Sequence, residues 1–408
     1  MAEILDTESA KELIQMCRAG RLYEIERWIA EGRSLDISTA CRRGRPQTLL
    51  EMAVQAGFHS LVELIAKNEP SKHAKTAALR LAVSAKRMDL IELLCANGAD
   101  PKTVSLNTVL IEWDPKLIRY FLDHGAAPVE GRPFAEAFRE RIRTALRSFV
   151  DYKRAHPELG PQLQEQIDCA LRHFCGEGDL KWVCLLLWAG ADARTSGPCL
   201  GKDWTDDPEC YTTGLEEACR QETIDILKKL KPDPKRDNVA ELLRNAAMRS
   251  RSVTLEYLLE LGSDPNDKTN GGSSALDMAL RQLDFIRIGS SYGSGVLTTV
   301  YEVRPILECV RSLVSHGAAW HPEEGYDLNS LRRALVKCQS EVTIELLRLF
   351  REFNACPAET VHQLLGSPRM REHLKSQDNS LLRLGIHLDV RSTKARQRRF
   401  GGTRNSSQ

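Results

Sequence analysis

The stretch from Lys75 to Asp100, KTAALRLAVSAKRMDLIELLCANGAD, decides the fold of this 408-residue chain. Leu79 and Ala82 mark one short helix, and a second helix follows after a short polar turn. The apolar residues of the second helix have the i, i+3, i+4 spacing of a buried face; they are Leu90, Ile91, Leu93 and Leu94. Gly98 then stands where a left-handed cap would end the helix. The stretch predicts two short amphipathic helices joined by a turn.

The same spacing recurs along the chain. With Ala82 as the origin, apolar pairs fall at about +8/+9 and +11/+12 and a glycine at about +16. Six other origins share this register: Met16, Ala53, Val109, Phe174, Ala246 and Ala334. At Ala218 and Ala279 the first helix is present and the second is displaced. Because two short amphipathic helices cannot bury both apolar faces alone, neighbouring pairs are expected to stack.

The units resemble ankyrin repeats over about residues 8 to 355. The stretch from Gly272 to Ala279 is similar to the opening of that repeat, and Gly98-Ala99-Asp100 and Gly190-Ala191-Asp192 are similar to its close. Lys86 stands where the family has a mid-repeat glycine, and no unit has the full T-P-L-H opening. The resemblance implies an all-α, ankyrin-type helical solenoid of about nine irregular repeats with helical and loop insertions.

The interruptions of the period predict the domain organisation. Two runs of ankyrin-like repeats are expected, the second with a cap, on either side of an inserted helix, and a basic disordered tail follows; the boundaries are 8–129, 130–165, 166–390 and 391–408. The insertion is interpreted as a single helix because its apolar residues keep helical spacing; they are Phe134, Phe138, Ile142, Leu146 and Phe149. A polar loop at 196–213 and a Gly/Ser-rich linker at 287–302 interrupt the second run.

Composition restricts the class of protein. The net charge is +1, but residues 391–408 carry six arginines and lysines and no acid, so the body is mildly acidic. Neither a secretory signal nor an apolar run long enough to span a membrane is visible. The 12 cysteines are scattered, as expected for reduced thiols inside a cell. A cytoplasmic location is expected. The basic tail is interpreted as a solvated, disordered end, with a nuclear import signal as the alternative.

Enzyme chemistry has weak support in the sequence. One zinc-like group falls within 38 residues but lacks the paired spacing of a zinc site; its members are His173, Cys175, Cys184, Cys199 and Cys210. Acidic neighbours would raise the pKa of Cys210 and make it a poor nucleophile. We therefore expect no catalytic residue, no metal and no cofactor. The alternative is an enzyme whose pocket lies between the insertions 130–165 and 196–213.

The preferred interpretation is a non-catalytic scaffold or adaptor that binds a protein partner. The resemblance implies that contacts come from loop tips after each Gly-Ala-Asp and from the concave face; the tip residues are Lys102, Thr103, Arg194, Asn266, Lys268, Trp320 and His321. Trp204 is added because its polar loop has no apolar period. Trp320 is expected to be an aromatic anchor, and the alternative is that it packs against the next repeat through Pro322. The chain is expected to be monomeric and without a membrane partner. Nucleic-acid binding by the tail is the weakest alternative, since no stacking aromatics accompany its charges.

Overall fold

The structure, a computed structural model, describes residues 5–37, 47–199, 211–221, 224–268, 272–285 and 300–386. These residues form α-helices, short 3-10 turns and two isolated bridges, Gly197 with Thr212 and Lys268 with Ser274. The prediction of an all-α fold is confirmed. Trp204, Cys210 and the basic tail lie outside the described residues, as does most of the predicted linker at 287–302.

The chain divides into two compact units. Unit 1 comprises Met1–Phe174 and Lys181–Thr212, and unit 2 comprises Cys175–Leu180 and Thr213–Gln408. Both units are made of consecutive helix pairs.

The pairs of the first half are α1 (Thr7–Arg18) with α2 (Leu22–Ala30), α3 (Leu49–Ala56) with α4 (His59–Asn68), α5 (Lys72–Ser84) with α6 (Met88–Ala96), α7 (Leu106–Leu110) with α8 (Pro115–Asp123), α9 (Pro133–Arg139) with α10 (Thr144–Ala155), and α11 (Gly160–Glu177) with α12 (Leu180–Trp188). Within unit 1, α3 packs between α1 and α5, and α4 packs between α2 and α6. First helices therefore stack on first helices and second helices on second helices.

The pairs of unit 2 are α13 (Gly214–Cys219) with α14 (Asp225–Leu230), α15 (Val239–Met248) with α16 (Ser252–Glu260), α17 (Ala275–Arg281) with α18 (Val300–Ser315), α19 (Leu328–Val336) with α20 (Ser340–Glu352), and α21 (Ala358–Leu365) with α22 (Pro368–His373), followed by α23 (Asp378–Arg383). Here α15 packs between α13 and α17, and α18 packs between α16 and α20. Residues 282–299 separate α17 from α18, yet these two helices also pack together.

The core lies between the stacked pairs. The apolar residues that predicted the pair α5/α6 are fully buried: Leu79, Ala82, Leu90, Ile91 and Leu94. Burying one leucine or isoleucine side chain stabilises a fold by about 1.5–3 kcal/mol. Since each pair buries such residues against its neighbours, stacking is the main source of stability.

Two left-handed residues shape each regular pair. The turn between the helices is left-handed at Gly57 (φ +77°) and at Lys86 (φ +55°), and the second helix is followed by a left-handed glycine such as Gly98 (φ +90°). The order of helix, left-handed turn, helix, left-handed end and loop is that of an ankyrin-type unit. The prediction of ankyrin-type repeats is confirmed in this order of elements, with Lys86 adopting the conformation of the glycine it replaces.

The prediction that residues 130–165 form a single inserted helix is wrong. The segment forms two helices, α9 and α10, because Arg141 adopts a left-handed conformation (φ +60°) and turns the chain back. The spacing of the apolar residues continues in phase through the turn, so the sequence looked like one helix. Phe149 packs edge-on against Phe134 and Phe138, with ring centroids 5.1 and 5.5 Å away. The segment is a further helix pair.

The described residues contain eleven helix pairs, formed by α1 to α22. About nine were predicted. The two additional pairs are α9/α10, interpreted from the sequence as an insertion, and α21/α22, where the period was not recognised.

Candidate partner-binding surface

The loop tips are positioned by the aspartate that closes each Gly-Ala-Asp or related sequence. Its side chain accepts a hydrogen bond from the backbone N–H two residues later: Asp100 from Lys102 (3.0 Å), Asp192 from Arg194 (2.9 Å) and Asp264 from Asn266 (2.8 Å). Such turns fix the next residues without a helix or strand. The three tips therefore leave their helix pairs with the same local geometry.

In unit 1 the predicted tip residues Lys102 and Thr103 are both exposed. The Thr103 hydroxyl donates to the Asp100 carbonyl oxygen (2.6 Å) and lies 3.0 Å from the Thr76 hydroxyl on α5. The guanidinium of Arg80, also on α5, donates to the Thr103 carbonyl oxygen (3.4 Å). Thr103 thus links its loop to the preceding first helix, and Lys102 presents the charge of this tip.

In unit 2 the structure brings three predicted residues together. Asn266 donates to the Gly317 carbonyl oxygen and accepts from the Ala319 N–H, each at 2.9 Å, so it joins the tips of two successive pairs. Lys268 forms an ion pair with Glu324 (2.5 Å), and its hydrogen bond lowers the pKa of Glu324. Asn266, Lys268 and the exposed His321 line one shallow pocket of about 340 Å³.

Asp277 supports the wall of this pocket. It is buried at the start of α17 and accepts from the N–H and hydroxyl of Ser274 (2.9 Å each) and from the N–H of Tyr326 (3.0 Å). One carboxylate thus caps α17 and fixes the loop that carries His321. Ser274 belongs to the stretch from Gly272 to Ala279 that resembles the ankyrin opening. The sequence did not predict the hydrogen bond from the Tyr326 N–H to Asp277.

The prediction that Trp320 is an exposed anchor is wrong. The side chain is 1% exposed and stacks on Phe350, with ring centroids 5.6 Å apart. Its indole N–H donates to the Tyr326 carbonyl oxygen (3.2 Å), and its backbone N–H donates to the Ala355 carbonyl oxygen (2.8 Å). Trp320 fastens its loop to the following pair, because burying the large ring outweighs any gain from leaving it in water.

Arg194 is half-buried and takes part in interactions within the protein. Trp204 lies outside the described residues, although both ends of its loop are described. The N–H and carbonyl groups of Gly197 and Thr212 form two hydrogen bonds, at 3.0 and 3.1 Å, which close the base of the loop.

Sequence reasoning missed Arg172, which anchors that base from α11. Its side chain is fully buried and donates to the carbonyl oxygens of Pro198 and Thr195 (3.0 Å each) and to the Glu165 carboxylate (2.9 Å). The only signal was a charged residue at a position of α11 that faces the core, where Gln166 and Asp168 are also buried. A buried guanidinium needs such partners, since an unpaired buried charge is strongly destabilising.

Two cysteines of the zinc-like group, Cys175 and Cys199, have different surroundings in the structure. Cys175 is buried in the core, the Cys199 thiol lies 3.2 Å from the Thr212 hydroxyl, and Cys210 is outside the described residues. No cluster of three or more potential metal ligands occurs among the residues that the structure describes. Burial raises the pKa of the neighbouring Cys169 thiol to about 12, which favours its unreactive protonated form.

The alternative of an enzyme pocket places the pocket between the insertions 130–165 and 196–213. The first of these is a packed helix pair with its phenylalanines buried, and most of the second lies outside the described residues. In the described part of the chain no helix is long and apolar enough to cross a bilayer.

The solved structures that are similar to the chain include two ankyrin repeat domains. One is the ankyrin repeat domain of Bcl-3, described as a unique member of the IkappaB protein family, at 17% identity, covering 65% of this chain and 91% of that chain with a TM-score of 0.27. The other is the human ASB11 ankyrin repeat domain, at 16% identity, covering 76% of this chain and 99% of that chain with a TM-score of 0.23. No protein-family model and no curated protein matches the sequence. The similarities concern the fold only.

Proposed function

We propose that the chain is a non-catalytic scaffold or adaptor that binds a protein partner through its loop tips. The observation that carries this proposal is the convergence of Asn266, Lys268 and His321 from the tips of two successive pairs on one pocket. The three side chains are exposed, while Asp277 and Trp320 hold the loop that bears His321, and Asn266 is fixed by its own bonds to Gly317 and Ala319. A preorganised polar surface of this kind loses little conformational entropy on binding.

The tips of unit 1 extend the proposed surface through Lys102, Thr103 and Arg194, and we keep Trp204 as a contact residue. A monomeric state, the absence of a cofactor and a cytoplasmic or nuclear location belong to the same proposal.

The test is a comparison of three forms of the tagged full-length chain expressed in its native cells. The first is wild type, the second carries Lys268→Ala and His321→Ala, and the third is a matched control with Lys229→Ala and His316→Ala. Lys229 and His316 are exposed residues of unit 2 outside the tips. Proximity labelling with quantitative mass spectrometry measures which proteins each form contacts.

We expect one or a few proteins to be enriched with wild type and control and lost with the tip variant. Circular dichroism melts of all three forms establish that they are equally folded. If the three forms label the same proteins to the same extent, the tips do not bind the partner and the proposal fails.

A further inference from the structure

A groove between the second helices of unit 1 collects positive charge. α8 and α10 pack against each other, and between them lies a cavity of about 530 Å³. Four basic residues line it, Lys116 and Arg119 from α8 and Arg143 and Arg147 from the start of α10. The carboxylates in its lining are those of Asp123 and Asp151. With four positive and two negative side chains, the groove has an excess of two positive charges.

Most of these basic side chains have no partner. Among the described residues, no ion pair or side-chain hydrogen bond involves Lys116, Arg119 or Arg143. Arg147 approaches Asp151 only to 3.8 Å, and its side chain is 88% exposed. Other arginines of the same unit are paired closely, for example Arg87 with Asp89 at 2.6 Å. Unpaired like charges repel one another, so their convergence does not stabilise the fold, and a bound anion would relieve the repulsion.

The N-terminus of α10 opens into the same groove. This helix has twelve residues and no acidic residue in its first turn, and Arg143 at its N-cap supplies no side-chain hydrogen bond. The Thr144 hydroxyl oxygen is buried and has no hydrogen-bond partner. Thr144 and Ser148 both line the groove. The amides of Ala145 and Leu146 donate to the carbonyl oxygens of Ile142 and Arg143 (3.2 and 3.1 Å), so the attraction of this helix start for an anion comes mainly from the helix dipole. The Thr144 hydroxyl can donate a hydrogen bond to such an anion.

We propose that this groove binds a phosphorylated serine or threonine side chain of a protein partner. Guanidinium groups bind phosphate oxygens through paired N–H donors, and Thr144 supplies a further donor. Met88, Pro115 and Tyr120 also line the cavity and offer apolar contact to the residues that flank the phosphate. The inference rests on the proposed function only in that the ligand is part of a protein.

The groove favours a phosphopeptide over a nucleic acid. Asp123 and Asp151 would repel the evenly spaced phosphates of a polynucleotide, whereas a single phosphate can avoid them. The groove has an excess of only two positive charges, which suits one phosphate better than a polynucleotide backbone.

The test measures binding of four probes to the full-length chain by fluorescence anisotropy or calorimetry. The probes are a phosphoserine peptide, Ac-GALpSPAG-NH2, its unphosphorylated form, inorganic phosphate, and a 20-nucleotide single-stranded DNA. The groove variant carries Arg119→Gln and Arg143→Gln. A matched control carries Arg18→Gln and Lys72→Gln, which removes the same charge from exposed sites elsewhere in unit 1. Thr144→Val tests the buried hydroxyl separately.

We expect the phosphopeptide to bind at least about tenfold more tightly than the unphosphorylated peptide or inorganic phosphate. The groove variant should lose at least about tenfold in affinity and Thr144→Val a smaller factor, with the control changed less than about twofold. Equal melting temperatures establish that the variants fold.

Three results would overturn the inference. These are equal binding of the two peptides, equal losses in groove and control variants, and tighter groove-dependent binding of DNA or inorganic phosphate than of the phosphopeptide. None of them bears on the loop tips, because Lys268 and His321 are unchanged in every form. Loss of partner labelling in the tip variant would therefore support the proposed function even if the groove proved empty of phosphopeptide.

Discussion

Replacing Arg172 with methionine should weaken unit 1 far more than the same replacement on its surface. Methionine keeps most of the aliphatic packing but donates no hydrogen bond. The Glu165 carboxylate, whose side chain is 33% exposed, can be rehydrated, but the Thr195 carbonyl oxygen loses its charged donor, and the Pro198 carbonyl oxygen keeps only the weak thiol donor of Cys169 (3.0 Å). A buried polar group left without a partner costs about 1–3 kcal/mol. We therefore expect a loss of about 2–4 kcal/mol in the free energy of unfolding.

The assay is denaturant unfolding of the full chain, with amide hydrogen exchange as a local readout. Arg139→Met is the control, because Arg139 is 41% exposed and forms a surface ion pair with Glu136 at 2.8 Å. Such pairs contribute about 0–1 kcal/mol. The amides of Gly197 and Thr212, which bond across the loop base, should exchange faster in Arg172→Met only. Equal losses in the two variants, with unchanged exchange at Gly197, would refute the anchoring role of Arg172.

Four further changes test other features. Gly98→Val should lower stability by about 1–2 kcal/mol because φ is +90° there, and a thermal melt equal to wild type would contradict the assigned left-handed cap. Lys86→Gly should raise it by about 0.5–1 kcal/mol in denaturant titration by relieving a left-handed lysine, and a decrease would contradict that reason. Trp320→Ala should cost about 3–5 kcal/mol, whereas Tyr23→Ala, 82% exposed, should cost under about 0.5, and similar losses would refute the burial of Trp320. Burial lowers the pKa of His373, so the unfolded chain binds a proton there more readily, and the free energy of unfolding falls as the pH drops below about 6.5. His373→Gln should make this fall shallower in denaturant titrations at several pH values. An unchanged slope would count against the burial of His373.

The helix pairs could be predicted from the sequence because their stability comes from apolar spacing, which the chain displays directly. Leu79 and Leu90 are fully buried as their positions in the pattern require. The break at Arg141 could not be predicted, since neither glycine nor proline marks it and the phenylalanines stay in phase across it. A left-handed arginine is maintained by tertiary packing, which a local pattern does not contain.

The same contrast between local pattern and tertiary packing explains which tip residues could be predicted. Asn266 and Lys268 were placed correctly on a loop tip because the preceding aspartate fixes the turn locally. The burial of Trp320 depends on Phe350, thirty residues later, and on the Tyr326 carbonyl oxygen. The basic groove between α8 and α10 was also missed. It is lined by α10, and the sequence had been interpreted as forming one helix where the structure has the pair α9/α10.

The long separation between α17 and α18 has a practical consequence. Each of these helices packs against helices of neighbouring pairs, α17 against α15, and α18 against α16 and α20. Lengthening a loop costs little, about 0.6 kcal/mol for each doubling. A reporter domain spliced into residues 287–295 would leave the stack intact, and its signal could follow the protein in living cells without occupying either chain terminus.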